Sequence, residues 1–152
     1  MHRPLQPEGW ARPAGYVNGV VARGRTIFVA GQVGWNAESR FGSDDLVAQI
    51  AQALRNVAAI LSCDGAAPEH VTNLVWYFAD RREYINRLSE VGKVYREIMG
   101  RNFPAMTSVQ VTPRSRSRRP RSFRTSLSMR HSPERIRYAS QAGRILSFEE
   151  AA

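Results

Sequence analysis

The sequence predicts a two-layer α+β domain, and three observations predict it. Residues 46–61 and 84–99 each carry apolar side chains at steps of three and four, the pattern of a helix with one apolar face. Four other segments, at 16–22, 25–30, 70–78 and 103–111, are short and rich in β-branched and aromatic residues. Gly65 and Gly100 stand just past the two helical stripes, where a left-handed residue ends a helix. One-sided helices must bury their stripes on something, and a sheet with both helices on one face is the simplest solution. The predicted order is β-β-α-β-α-β within residues 1–111, followed by a tail at 112–152.

Residues 1–15 are rich in Pro and Gly, with Trp10 among them, and read as a lead-in loop. The first strand, 16–22, meets the second, 25–30, through a hairpin turn at Arg23-Gly24. The second strand runs into Gly31-Gln32-Val33-Gly34, where two glycines let the backbone bend or approach a neighbour closely. Residues 35–42 read as a loop. Ser43 or Asp44 caps the first helix, whose stripe is Leu46, Ile50, Ala53, Leu54, Val57, Ile60 and Leu61. The third strand is 70–78. Asp80 followed by Glu83 forms a capping box for a second helix with the stripe Tyr84, Ile85, Leu88, Val91, Tyr95, Ile98 and Met99. The fourth strand begins at Phe103, tolerates Pro104 at its start, and alternates Val109 and Val111 with Ser108 and Gln110.

The chain has 152 residues and a net charge of +9, which invites a nucleic-acid reading. The location of the charge argues against it. Residues 1–111 hold 12 basic and 10 acidic side chains, a net of +2, whereas 112–152 hold 10 Arg and 3 Glu, a net of +7. The domain is near neutral and the tail sets the high pI, so a global charge argument misleads. No run of 18 apolar residues is present, and the N-terminus lacks an apolar secretory core, so the chain is expected to be cytosolic. Cys63 is single, cannot form an internal disulfide, and reads as a small buried thiol. His2, His70 and His131 lie far apart without ligand-like companions, so no metal site is expected. No phosphate-cradling glycine loop and no GxSxG nucleophile elbow occurs.

Four residue groups occur in a distinctive order: Gly15-Tyr-Val-Asn-Gly-Val20, Phe28-Val-Ala-Gly-Gln-Val33, Ala51-Gln-Ala-Leu-Arg-Asn-Val57, and Phe103-Pro-Ala-Met-Thr-Ser-Val-Gln-Val111. In this order and spacing, covering most of residues 8–111, they resemble the Rid family (YjgF/YER057c/UK114, RidA-like). The resemblance implies a chorismate-mutase-like fold and a homotrimer whose sheets surround a central barrel. Small metabolites bind such trimers in clefts between subunits. Family members of the RidA type hydrolyse enamines and imines to keto acids and ammonia, with neither metal nor organic cofactor, and some relatives are described as ribonucleases.

Carried over by position, the ligand-binding residues implied are Tyr16, Ala30, Gly31, Gln32, Met106 and Ser108. Ala30 stands where the family has Ser, and Ser108 where many relatives have Cys. Met106 stands where active members have an Arg that grips the substrate carboxylate. A planar guanidinium makes two parallel hydrogen bonds to a carboxylate, and a thioether makes none. A contact of that kind is worth on the order of 1.5–3 kcal/mol, so its loss weakens an anionic ligand tenfold or more. The family's water-positioning Glu of the last strand also has no counterpart, since no Glu lies between 112 and 133. Residue by residue, the lesser alternative is that Tyr16 and Met106 are core side chains and Gly31 a simple bulge. No catalytic residue is assigned.

From Thr112 the composition changes to Pro-Arg-Ser-Arg-Ser-Arg-Arg-Pro-Arg-Ser-Phe-Arg124. Such a segment has little to bury and is expected to be disordered, leaving the usual last strand altered or missing. Relatives close with a strand of the type Val-Glu-Ile-Glu-Ala. Coded as GTC GAG ATC GAG GCG and read one base out of register, with suitable flanks, it gives Arg-Ser-Arg-Ser-Arg-Arg, the residues at 114–119. A frame-shift near Thr112 is the reading this coincidence favours. Lower stability and weaker trimerisation follow from a lost strand, although the segment's backbone alone could still pair.

Three functions are then open. One is a Rid-type imine deaminase, and the second a non-catalytic metabolite-binding module on the same fold. The third is an RNA-binding or endoribonuclease-like protein acting through the basic tail. Met106 and the absent Glu weigh against the first and the near-neutral domain against the third, so nucleic acid is the less favoured partner.

Overall fold

The computed structural model describes residues 2–111 and, for its backbone, the strand at 124–130. In chain order the elements are β1 (His2–Leu5), β2 (Gly19–Ala22), β3 (Thr26–Val33), α1 (Leu46–Ser62), a 3₁₀ turn (Pro68–His70), β4 (Val71–Phe78), α2 (Arg81–Asn86), α3 (Leu88–Met99), β5 (Ala105–Gln110) and β6 (Arg124–Arg130). Four strands form the main sheet in the order β3-β6-β4-β5. β6 is antiparallel to both β3 and β4, and β5 is parallel to β4. A parallel neighbour requires a crossover, which α2 and α3 supply. The fold is the α+β fold of two layers expected from the helical stripes.

The core explains the layering. Leu74, Trp76 and Phe78 alternate along β4, and all are buried. They meet Ile50, Leu54, Val57 and Leu61 of α1 and Val91, Tyr95 and Met99 of α3 in one cluster. Truncating one such fully buried Leu costs roughly 2–5 kcal/mol. Between the helices Arg87 pairs with Asp45 and Glu90, all partly exposed. Exposed pairs contribute about 0–1 kcal/mol each, so apolar burial holds α1 to α3.

Several expectations are corrected. Residues 1–15 are not all loop: His2–Leu5 pairs antiparallel with Gly19–Ala22 in a separate two-stranded sheet. Arg23-Gly24 therefore does not close a hairpin onto β3. The predicted second helix is two pieces, because Arg87 leaves helical geometry at φ −113, ψ 16. Asp80 caps the first piece as expected, accepting from the N–H groups of Arg82 and Glu83. The cap of α1 is Asp45, one residue beyond the predicted pair; it accepts from Ala48 N–H at 2.8 Å, while Ser43 Oγ accepts from Asp45 N–H. Cys63 is exposed, with its thiol toward the Ala59 carbonyl at 3.4 Å, because it follows the last helical turn rather than sitting in the stripe.

The largest correction concerns the tail. A domain boundary at residue 111 leaves out β6, which lies between β3 and β4. Its ladder runs from Thr26 opposite Arg130 to Val33 opposite Arg124 on one side, and from Val71 opposite Met129 to Tyr77 opposite Arg124 on the other. The last strand is present in altered form, the alternative to its being missing. Residues 112–123 and 131–152, where disorder is expected, lie outside the described residues.

Two contacts between strand, loop and helix give tests. Gly34 sits against α1 so closely that a Cβ there would be 2.7 Å from Gln49 Cα. Backbone must then move, so Gly34→Ala should destabilise by about 1–3 kcal/mol in urea unfolding, the cost of overpacking. Asp45 is held below its ordinary 3.8 by the hydrogen bond from Arg87 and then by that from Ala48 N–H. A lowered folded-state value means that Asp45 stabilises above its unfolded value and loses this as pH falls through the folded one. Asp45→Ala should therefore cost about 1 kcal/mol at neutral pH, as for other lost caps. Asp45→Asn should cost less, with its difference from the parent shrinking as pH falls below the ordinary carboxylate value and vanishing only below the lowered folded-state value, in thermal melts.

Candidate ligand site

One group of candidate residues is built on β5. Val17 N–H donates to Pro104 O at 3.1 Å, and Val17 bridges Ala105 in parallel. This places Tyr16, 42% exposed, along the outer side of β5. On the other side β5 pairs with β4, with Met106 opposite Leu74, Ser108 opposite Trp76 and Gln110 opposite Phe78. Residues paired across neighbouring strands share a face. Because Leu74, Trp76 and Phe78 are buried, the row Met106, Ser108, Gln110 lies on the helix side. Burial decreases outward along this edge strand: Met106 is half-buried and packs against the core, while Ser108 and Gln110 are exposed.

Aromatic rings floor this row. Tyr84 stacks on Phe78 with centroids 4.6 Å apart and lies 6.2 Å from Trp76. Trp76 is 6.3 Å from Tyr95, which stacks on Phe103 at 5.8 Å. Tyr95 O–H donates to Asn102 O at 2.5 Å, and burial pushes its phenol well above the ordinary value. Tyr84 is half-buried; burial raises its phenol too, and a hydrogen bond with the Ser108 hydroxyl opposes the shift. Tyr84 is therefore a neutral phenol near neutral pH.

The second group is built on β3. The ladder to β6 jumps from Val29 to Gln32, so Ala30 and Gly31 are a bulge opposite one residue of β6. Ala30 and Gly31 are exposed, and the half-buried Gln32 donates through Nε2 to Ala30 O at 3.1 Å. The chain beyond is pinned by Asn56, whose Nδ2 donates to Val33 O at 3.2 Å and Trp35 O at 2.8 Å. Trp35 then bridges Phe41, and their rings lie 6.3 Å apart.

β3 and β5 are opposite edges of the main sheet, with β6 and β4 between them. At about 4.8 Å per strand, the two groups are separated by roughly 14 Å. One copy of the chain thus brings Tyr16, Met106 and Ser108 to one edge, and Ala30, Gly31 and Gln32 to the other. Among the described residues no cluster of three or more His, Cys, Asp or Glu is placed to hold a metal ion. The sequence places Tyr84 only in a helical stripe. Its place one turn into α2, next to the β5 row, could not be seen without the β4–β5 register.

Residues 10–116 match the family model described as Endoribonuclease L-PSP. The chain belongs to the Rid family. The Rid protein YyfB of Yersinia pestis, of unknown function, is 26% identical, with a TM-score of 0.72 over 85% of this chain and 98% of that one. A Mycobacterium tuberculosis member of the YjgF/YER057c/UK114 family is 28% identical, with a TM-score of 0.53 over 77% of this chain and 87% of that one. Among curated proteins, the goat (Capra hircus) 2-iminobutanoate/2-iminopropanoate deaminase is 33% identical over 88 residues. That match covers 57% of this chain and 61% of the relative's length. The Rid relatives thus have the same fold, and no helix among the described residues is long and apolar enough to cross a membrane.

Proposed function

We propose that this Rid protein binds a small metabolite in clefts between copies of itself, as a cytosolic homotrimer, with imine hydrolysis impaired by Met106. The observation that carries the reading is the split of the candidate residues between the two sheet edges. A site that uses both groups needs the β5 edge of one copy beside the β3 edge of another. Exposed apolar residues on these strands, Val109 and the 78% exposed Phe28, are consistent with burial by a neighbour.

The goat relative's name supports imine chemistry as the ancestral task. In that reaction water adds to the carbon of C=N, the nitrogen takes up protons and leaves as ammonia, and a keto acid remains. This chain supplies a bulged backbone at Ala30-Gly31, the Tyr16 and Ser108 hydroxyls, and no metal or cofactor is required by the chemistry. The position that would anchor the substrate carboxylate carries a thioether, packed against the chain's own core. A carboxylate is held there without a charge partner, so binding without efficient turnover fits the residues better than deamination. Nucleic acid is the less favoured partner, because the basic excess lies after residue 111.

Generating 2-iminobutanoate with an amino-acid oxidase and following its decay tests this. The unaltered protein should add little to the spontaneous rate. Met106→Arg should tighten carboxylate binding about tenfold or more, the worth of a charge-assisted hydrogen bond. Light scattering should give a trimer. Rapid turnover by the unaltered protein, or a monomer at micromolar concentration, contradicts the proposal.

A further inference from the structure

We propose that Asn56 is a positioning residue for the β3 half of the ligand site, because it holds the Ala30-Gly31 bulge in one of two registers open to the strand. The inference rests on the reading of the β3 edge as part of that site. It goes beyond that reading by bringing in a residue of α1.

The pairing across β6 defines the two registers. Before the bulge, Val29 and Leu74 share the partner Leu127. Beyond it, Gln32 and Trp76 share Thr125, and Val33 and Tyr77 share Arg124. Residues level with one another across a sheet share a face. Gln32 is therefore on the helix side with Leu74 and Trp76, and Val33 is on the opposite face with Tyr77. Strict alternation from Ile27 and Val29 would do the reverse. Gly31 would meet Thr125, Gln32 would meet Arg124, and Val33 would join Val29 on the helix side. Val33 is buried, yet it lies outside the core cluster that contains Val29. The bulge thus decides which face Gln32 serves, and it runs against the apolar alternation of its own strand.

The ladder beyond the bulge is two positions long, Gln32 and Val33, so the register there needs support from elsewhere. Asn56 supplies it. Its Nδ2 donates to Val33 O at 3.2 Å and to Trp35 O at 2.8 Å, the carbonyls before and after Gly34. Both hydrogens of the amide are then used. Gln52 Nε2 donates to Asn56 Oδ1 at 2.8 Å, which fixes the end of the amide that faces the strand. Gly34 itself sits where a Cβ would be 2.7 Å from Gln49 Cα. In the regular register Val33 would take that place against α1, and its side chain would not fit. The amide grip and the glycine seat together select the bulged register. Within it, Gln32 Nε2 turns back to Ala30 O at 3.1 Å, and Ala30 and Gly31 stay exposed. The backbone that this edge offers to a ligand is thus set by a side chain of α1.

The test is backbone NMR of the isotope-labelled full-length protein. Cross-strand contacts in the parent should pair Gln32 with Thr125 and Val33 with Arg124. Asn56→Ala should weaken these and add a second set, Gly31 with Thr125 and Gln32 with Arg124. Asp45→Ala, which also costs stability, should leave the parent set alone and so separates this effect from a general loosening. An unchanged set in Asn56→Ala overturns the inference, and so does loss of the parent set without the second one. If Asn56→Ala does not fold, Gln52→Ala, which removes the bond to Asn56 Oδ1, is read in the same way. The ligand probe is 2-oxobutanoate, the keto acid that 2-iminobutanoate leaves, titrated into Met106→Arg protein. It should shift the signals of Ala30, Gly31 and Gln32 saturably. Adding Asn56→Ala should weaken its binding about tenfold or more, the cost of a displaced contact. Unweakened binding overturns the positioning role. No shift at these residues in the Met106→Arg protein overturns the reading of the β3 edge as a ligand site, whatever the register contacts show, and the positioning role falls with it.

Discussion

Backbone hydrogen bonding across β6 is the constraint on which the sheet depends. β3 and β4 do not touch as a pair; each finds its ladder partner in Arg124–Arg130. Without that strand, the facing N–H and C=O groups of β3 and β4 would lack ladder partners, at about 1–3 kcal/mol for each group kept from water. Several such groups exceed the whole stability of an ordinary domain. A ladder bond is indifferent to side-chain identity, so a segment from a basic, Ser-rich region can satisfy it where its period permits.

The same strand sets the geometry of the candidate site. With β6 and β4 in the middle, β3 and β5 become edges, and the bulge at Ala30-Gly31 comes to lie far from Met106 and Ser108. The α2–α3 crossover that makes β5 parallel to β4 also lays Tyr84 over Phe78, beside Ser108. Sheet order and edge exposure thus follow from one arrangement of four strands.

Much of this was legible in the sequence. The stripes of α1 and α3, the Asp80 cap and the stop at Gly100 follow from local periodicity and capping chemistry, and each is where those rules place it. Motif order points to the candidate residues, and the bulge falls at Gly31, where the lack of a side chain lets the backbone bend. What failed was non-local. His2–Leu5 is four residues long with Pro4 inside, too short to carry a period, and it is fixed by its partner β2. In 124–130, Thr125, Leu127 and Met129 alternate with Arg and Ser, a strand pattern hidden within a longer run of Arg and Ser. Composition averaged over 41 residues concealed a seven-residue alternation. The position of Tyr84 required the register of a parallel pair, which no local window contains.

The direct test of β6 as the strand that completes the sheet is native-state amide hydrogen exchange over residues 124–130. Hydrogen-bonded on both sides, its inward amides should be protected to about the same degree as those of Val71–Phe78 and exchange only with global opening. Exchange of 124–130 at the rate of an unstructured peptide, with β4 still protected, would contradict the account.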